Sequence, residues 1–436
     1  MTLDVSLSGP GNAGKKVVHL STNDFGGAGS AALRFHRSLL GAGYASQMYV
    51  AESKAPCASV LPVVSQVLMV RAKRLARRLL PKKLFARVRS VVSERAIFSA
   101  QRKYLYFSVG ESSERGLNPE LVAKITEADV LFVHWVAGFV NTFDVLQIQK
   151  RTGCKVYYTS MDMAHLTGGC HYYWQCEGYR TDCSDCPALD QRHKNYAAYQ
   201  MRAKSLNILQ MGATLLSCSQ RIHQAGQASA IPYADYAVLP LPLDSELFTP
   251  APGGAGRQQF RFMTNAHDAG DPRKGFEYLQ QVLVLLEQQL AEHESIELLC
   301  LDPERLRSLG LERVKLARFD FCHGDAALAA LYKQLDLFVS TSIEDAGPMM
   351  VGEALMCGVP VVAFDVGIAP EVVKDGANGY IVDRLDVRHM AARILELYRS
   401  RGDGLDKPAV IHEDASRVFG QRNWNTRVAE LISAGQ

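Results

Sequence analysis

The sequence predicts an α/β protein built from two blocks, each a parallel sheet covered by helices. Three observations carry this expectation. Short apolar strands alternate with helical segments over residues 16–219 and again over 260–364. A Pro- and Gly-rich stretch, YAVLPLPLDSELFTPAPGGAGRQQ, lies between the two runs and reads as a linker. At 436 residues the chain is also too long for one ordinary core.

The elements follow in order. KVVHLS (16–21) is the first strand, TNDFGGAG is a loop, and a helix runs from about Ser30 to Leu40. Ala45–Val50, ADVLFVHW (128–135) and CKVYYTSM (154–161) read as further buried strands. A helix from about Asp190 to Met211 precedes the strand ATLLSCS. After the linker come FRFMTNA, a helix from Gly275 to about Ala291, IELLCL, a helix over Ala326–Gln334, and the segment DLFVSTSIEDAGPMMVGEALMCGVPVVAF (336–364). This last segment is a complete strand–loop–helix–strand unit: Cys357-Gly358 ends its helix, which starts at Met350, and Pro360 blocks continuation. Two sheets of this kind place ligands at the carboxyl ends of their strands, facing a cleft between the blocks.

Bulk properties narrow the class. The apolar fraction of 47%, the charged fraction of 21% and a net charge of +3 are those of a soluble globular chain and call for no nucleic-acid partner. No apolar run approaches the roughly 18 residues of a membrane span, and MTLDVSLSGPGNAGKK lacks the pattern of a signal peptide. Six of the ten cysteines are scattered, often within apolar runs, as in a reducing cytoplasm. One glycine pattern is a decoy. Gly9, Gly11 and Gly14 form G-x-G-x-x-G, and Gly14-Lys15 suggests a phosphate loop. However, the stretch precedes the first strand, and Lys16 stands where such a loop needs Ser or Thr.

The chemistry concentrates in four places. In the 336–364 segment, Asp345 in the loop and Glu353 in the helix lie eight positions apart. Between them GPMMVG offers free backbone N–H groups at a helix start, through Gly347, Met349, Met350 and Val351, as a phosphate seat. An anion seat flanked by two hydroxyl-accepting carboxylates suits a sugar nucleotide. Arg273 and Lys274 stand just before Gly275 and a helix, where positive charge opposes the helix dipole unless an anion is bound. Gly26 and Gly27 follow a strand and open a helix, so the backbone there can approach a ligand closely. Finally, Cys170, Cys176, Cys183 and Cys186 form C-x5-C-x6-C-x2-C in the insertion 163–187. The loop has little aliphatic content and needs a cross-link. Structural zinc is the leading reading, with His171 and His165 as substitute ligands and disulfides or free thiols as alternatives.

The 336–364 segment resembles the donor-binding signature of retaining GT-B glycosyltransferases, in particular glycosyltransferase family 4. The likeness covers nearly the whole chain and is strongest over 260–383. It implies GT-B architecture: an N-terminal Rossmann-like acceptor domain (1–243), a C-terminal Rossmann-like nucleotide-sugar-binding domain (244–414), and a terminal helix (415–436) that crosses back with Trp424 as aromatic anchor. It implies that Asp345, where the family more often has Glu, holds hydroxyls of the donor sugar with Glu344 beside it, and that Glu353 holds the ribose diol. By the same likeness Arg273 and Lys274 neutralise the donor diphosphate, and the Gly26-Gly27 loop faces the phosphates and the acceptor. The family's first-domain His is replaced by Met161. Either Asp162 and His165 take over contacts to the donor sugar or the chemistry tolerates the loss; His134 is a second candidate for the cleft wall. In such enzymes transfer proceeds on one face of the sugar, the leaving diphosphate takes the acceptor's proton, and the protein positions reactants. No D-x-D motif stands at a strand end, so turnover without a catalytic divalent ion is expected. TGGCHY with downstream paired Cys is also similar to a subset of family 4 from polysaccharide pathways.

One tract remains. Residues 66–98 hold ten Lys or Arg against Glu94 alone, interleaved with apolar residues and broken at Pro81. Basic amphipathic helices of this kind suit an anionic membrane surface, a solvated helix face being the plainer alternative. RNA is a poorer partner because no stacking aromatics accompany the charges. The expectation is a cytoplasmic glycosyltransferase, peripheral to the inner membrane face. It would use a UDP- or GDP-linked donor and a saccharide acceptor, lipid-linked, in exopolysaccharide or lipopolysaccharide synthesis. A nucleotide-sugar epimerase on the same scaffold and a non-catalytic, zinc-stabilised membrane adaptor stay open as rivals.

Overall fold

A computed structural model describes residues 14–54, 57–63, 104, 106–252, 259–266, 270–347, 349–401, 403, 405 and 407–433. The basic tract 66–98 lies outside them, as does the Gly9–Gly11 stretch. The chain divides into two compact units, Met1–Leu239 with Asn425–Gln436, and Pro240–Trp424.

The first unit is a seven-stranded sheet. Its strands are β1 (Lys16–Asn23), β2 (Ala45–Glu52), β3 (Val60–Pro62), β4 (Val130–Val133), β5 (Lys155–Ser160), β6 (Thr214–Ser217) and β7 (Asp235–Val238), in the order β3-β2-β1-β4-β5-β6-β7. All pairings between these strands are parallel. Helix α1 (Gly26–Gly41) connects β1 to β2, and α2 (Pro119–Lys124), α3 (Thr142–Thr152), α4 (Tyr196–Met211) and α5 (Gln220–Ala228) follow in chain order. Every residue of β4 and β6 is buried, the mark of parallel strands covered on both faces. Helix α3 starts where it does because Asn141 and Asp144 form a reciprocal capping box, and it stops at Gly153 in the left-handed conformation (φ 71°).

The second unit is a six-stranded parallel sheet of β8 (Phe260–Thr264), β9 (Ile296–Cys300), β10 (Val314–Arg318), β11 (Leu337–Ser340), β12 (Val361–Phe364) and β13 (Gly379–Val382), ordered β10-β9-β8-β11-β12-β13. Its helices are α6 (Phe276–Gln289), α7 (Asp325–Tyr332), α8 (Met349–Met356), the single turn α9 (Ala369–Val372), α10 (Val387–Ser400) and α11 (Pro408–Phe419), and α12 (Gln421–Ser433) starts in this unit. Alternation along β11 sends Leu337 and Val339 into one core with Leu283 and Ile394. Phe338 points into the other core, with Tyr332, Val351 and Leu355. Trp424 is fully buried and donates its indole N–H to Pro240 O at 2.9 Å. Beyond it α12 belongs to the first unit, where Arg427 reaches Val238 O (2.8 Å) and Leu431 O accepts from Tyr157 Oη (2.6 Å).

In both sheets the strand order reverses direction between the first and fourth strands of its unit, β1/β4 and β8/β11. Ligands of open α/β sheets bind at the carboxyl end of such switch points.

Several elements differ from the sequence expectation. Gly26 and Gly27 are the first residues of α1 and not part of a loop, because Gly26 alone takes the positive φ (72°) that turns the chain into the helix. The start of the expected linker is β7, an edge strand too short and polar to stand out by periodicity. The helix expected from Asp190 begins at Tyr196, after a separate 3-10 turn at Gln191–His193 capped by the Asp190 side chain. No membrane-spanning helix occurs among the described residues: none is long and apolar enough.

Candidate functional site

The second unit's switch point is built by two loops tied to each other. Asn265, at the end of β8, donates from Nδ2 to Ser340 Oγ (3.2 Å) and Ser342 Oγ (2.8 Å) at the end of β11. Asp271 then caps a 3-10 turn over Pro272–Lys274, accepting from Arg273 N at 3.2 Å. Gly275 follows at φ 68°, and a Cβ there would lie 1.9 Å from Thr341 O. Only glycine allows the β8 loop to press so closely on the β11 loop. Thr341 Oγ1 donates to Lys274 O (3.1 Å), and Ile343 N donates to Arg273 O (2.8 Å).

This lacing brings Lys274 and Asp345 together across the switch point, with Lys274 Nζ donating to Asp345 Oδ2 at 2.5 Å. Burial alone would push the Asp345 carboxyl up. The Lys274 ammonium, the nearby Arg273 guanidinium and the Gly347 N–H (3.3 Å) outweigh it and hold Asp345 below the ordinary aspartate value. The two basic residues expected to act together differ. Arg273 is buried and forms a fork to Asp271, Nε to Oδ1 at 3.0 Å and Nη2 to Oδ2 at 2.5 Å. Its charge is spent on holding the turn, and Lys274 is the cation placed beside the acid. Glu353, the fifth residue of α8, is 2% exposed, and its Oε2 accepts from Tyr332 Oη at 2.9 Å. That bond fixes the carboxylate's direction, and no spacing or motif in the chain points to Tyr332 as its partner. Glu344, Gly347, Met349 and Met350 are half-buried around the same loop and first helical turn, and Val351 is buried in the core.

In the first unit, α1 begins at Gly26 and Gly27 after β1, with no side-chain cap and no acid in its first turn. A Cβ at either glycine would meet nothing within 4 Å, so the space before this helix start is open. Asp24 braces the turn by accepting from Lys54 N at 2.9 Å and from Ser53 Oγ.

The histidines fall elsewhere than expected. His134 is fully buried and both ring nitrogens are engaged, Nε2 with His19 Nδ1 and Nδ1 with Thr159 Oγ1, each at 2.8 Å. Desolvation, with His165 and His36 nearby, lowers its pKa to about 3. It is therefore a neutral core residue and not a wall of any open site. His165 is likewise enclosed, its Nε2 donating to His134 O at 2.9 Å and its pKa lowered to about 4 by burial, which outweighs the opposing pull of Asp162. Asp162 does gain a partner. Its Oδ2 lies 2.6 Å from His171 Nδ1, and its Oδ1 accepts from Ala164 N at 2.8 Å. Burial would raise this carboxyl, but His171 and those bonds hold it below the usual value. Ser108 Oγ stands 2.8 Å from His171 Nε2, and Trp135 Nε1 2.9 Å from its Nδ1. His171 thus belongs to a buried Asp162–His171–Ser108 chain and not to the cysteines. The pairing joins residues nine apart and distant Ser108, so no spacing rule announces it.

The four insertion cysteines do gather. Cys170, Cys176, Cys183 and Cys186 line one small cavity, all unpaired with other sulfurs. Among the described residues no three Cys, His, Asp or Glu side chains are placed so that they could hold a metal ion.

Comparison with known proteins adds to this geometry. Residues 268–417 match the family described as Glycosyl transferases group 1. D-inositol 3-phosphate glycosyltransferase of Thermobispora bispora is 33% identical over 104 residues, 24% of this chain and 23% of that protein. The same enzyme of Mycobacterium marinum is 40% identical over 107 residues, 24% and 22% of the two chains. The chain thus spans less than a quarter of the length of these relatives. Likeness of fold extends much further. The crystal structure of Anabaena Alr3699/HepE in complex with UDP superposes with a TM-score of 0.61 at 16% identity, covering 96% of this chain and 100% of that one. Sucrose-phosphate synthase from Thermosynechococcus elongatus does so with a TM-score of 0.63 at 13% identity, covering 96% and 98%. Two parallel α/β sheets, each with its own switch point, and these superpositions make the fold GT-B, with a glycosyl transferases group 1 match over residues 268–417.

Proposed function

We propose that this protein is a retaining glycosyltransferase that moves a sugar from a nucleotide-diphosphate donor to a saccharide acceptor. The observation that carries the reading is the Lys274–Asp345 pair at the β8/β11 switch point, inside the segment that matches the glycosyl transferases group 1 family. An ammonium is a point charge that can leave one anion for another. When a donor enters, Lys274 turns from Asp345 to the diphosphate, and the freed carboxylate, with Glu344, takes hydroxyls of the sugar. The start of α8, through the N–H groups of Gly347, Met349, Met350 and Val351, supports the phosphates. Glu353, oriented by Tyr332, takes the ribose diol. Arg273 adds positive potential from its place in the turn. Anabaena Alr3699/HepE, whose fold is similar, has been crystallised with UDP-glucose, which favours a nucleotide sugar as the ligand of this fold here as well.

The diphosphate leaves with the acceptor's proton, so the protein's task is placement and charge stabilisation. Asp162, held by His171, is the polar group after β5 that serves in place of the family's His at Met161. The absence of a D-x-D pattern supports turnover without a catalytic divalent ion. The basic tract 66–98 supports attachment to an anionic membrane surface at the cytoplasmic face, and with it a lipid-linked acceptor in exopolysaccharide or lipopolysaccharide synthesis.

Titration calorimetry with UDP-glucose and a panel of UDP- and GDP-sugars tests the reading. One of these donors is expected to bind in the micromolar range, and Glu353→Ala to weaken it at least tenfold, as for the loss of charge-assisted bonds worth about 1.5–3 kcal/mol. No association by any of them at millimolar concentration sinks the proposal.

A further inference from the structure

The insertion between β5 and α4 contains 3-10 turns but no strand and no α-helix. Yet it holds four of the six non-glycine residues with positive φ among the described residues: Trp174 (55°), Gln175 (120°), Cys183 (56°) and Asp185 (53°). Such conformations persist only where the surroundings enforce them. This loop lacks the aliphatic core that would do so. At its centre is a cavity of about 20 Å³, room for one water-sized sphere, lined by Cys170, Cys176, Cys183 and Cys186 together with Tyr173 and Tyr179.

We propose that these four cysteines bind one zinc ion, and that the ion holds the loop carrying Asp162 and His171 in shape. Four thiolates in a space of this size are a soft, tetrahedral donor set, and zinc is the ion such a set selects in a structural site. Backbone N–H groups reach two of the four sulfurs. Gly168 N donates to Cys183 Sγ at 3.2 Å, and the Ala188 N–H is directed at the Cys186 sulfur. Cys183 and Asp185 take left-handed conformations in the Cys-x2-Cys turn, and both its cysteines line the same cavity. As they stand the four side chains line the cavity without forming a group that could hold a metal ion, so coordination requires them to turn inward. Four protein ligands leave no open position, and the ion is structural.

The link to the rest of the unit runs through the loop's base. Thr167 Oγ1 donates to Cys170 O (2.7 Å), Lys204 Nζ to Thr167 O (2.8 Å) and Gln200 Nε2 to Gly168 O (2.7 Å). Cys170 is followed directly by His171, the partner of Asp162. Fixing Cys170 therefore fixes the register of that pair.

Metal analysis of the full-length protein, purified under reducing conditions from zinc-supplied cells, should find about one zinc per chain. Cobalt substitution should give thiolate-to-metal charge-transfer bands and the visible absorption of a tetrahedral site. Cys176→Ser and Cys183→Ser should each lose the zinc. A strong chelator should lower the melting temperature of the wild type and leave these variants unmoved. Less than about half an equivalent of zinc that cannot be raised by reconstitution, or mass-spectrometric mapping of the four sulfurs as two disulfides, overturns the proposal. The wild-type metal content and cobalt spectrum decide the matter even if the variants do not fold.

Discussion

At the scale of single residues, the decisive contrast is between Arg273 and Lys274, neighbours in sequence with opposite fates. The guanidinium fork matches Asp271 bidentately and is buried, whereas the ammonium is paired with one oxygen of Asp345 and stays partly exposed. Lys274→Ala should therefore act twice. It removes the mobile phosphate partner, and donor affinity should fall roughly 10- to 100-fold, the range of a charge-assisted bond. It also removes the largest influence opposing burial at Asp345. In the wild type the lowered carboxyl contributes stability that is present above the ordinary aspartate pKa and lost as pH falls through the folded value. In the variant burial is offset only by Arg273 and the Gly347 N–H, so that contribution shrinks and stability at pH 7 drops. Calorimetry for the donor and urea unfolding at pH 7 check the two effects separately. Wild-type affinity in the variant would remove Lys274 from the site.

At the scale of elements, the close approach of the β8 and β11 loops depends on Gly275. Gly275→Ala puts a methyl group 1.9 Å from Thr341 O at a φ of 68°. It should cost at least the roughly 1–3 kcal/mol of a strained non-glycine conformation. The loops must part to admit the methyl, so Lys274 and Asp345 separate as well. A lowered melting temperature together with weaker donor binding is expected. A fall in stability with donor affinity intact would mean that the two loops carry no ligand. A parallel case is α12, where Trp424 closes the second unit and the residues after it complete the first.

At the scale of the whole molecule, stability should depend on pH in a way set by the first unit's buried histidines. His36, His134 and His165 have pKa values lowered to about 4, 3 and 4, chiefly by burial, and His19 is lowered as well. In the unfolded chain each titrates near 6.5. Below that value the unfolded state binds more protons than the folded one, so stability falls as pH drops from about 6.5 toward 4. Between pH 7 and 5 each such histidine contributes a loss of about 2 kcal/mol, since one pKa unit is worth 1.36 kcal/mol. The lowered carboxylates Asp162 and Asp345 lose their contributions only below that window. Urea unfolding at pH 7 and 5 should show the loss, and His36→Gln should reduce it by about one histidine's share. An unchanged difference in that variant counts against the assignment.

Much of this protein was legible in the linear chain. Apolar alternation and the turn signals at Gly358 and Pro360 determine where strands and helices form, because burial on both faces of a parallel sheet demands continuous apolar runs. The spacing of Asp345, Glu353 and the glycine-rich helix start marked the candidate site, because those residues lie in one local strand–loop–helix unit. Tertiary structure alone decided which charged groups meet. Arg273 turns to Asp271 and Lys274 to Asp345, Glu353 is aimed by Tyr332, and Asp162 pairs with His171 while His134 and His165 sink into the core. Pairings of this kind are set by the approach of loops far apart in sequence and by the cost of burying a charge without a partner. Neither leaves a periodic trace in the chain.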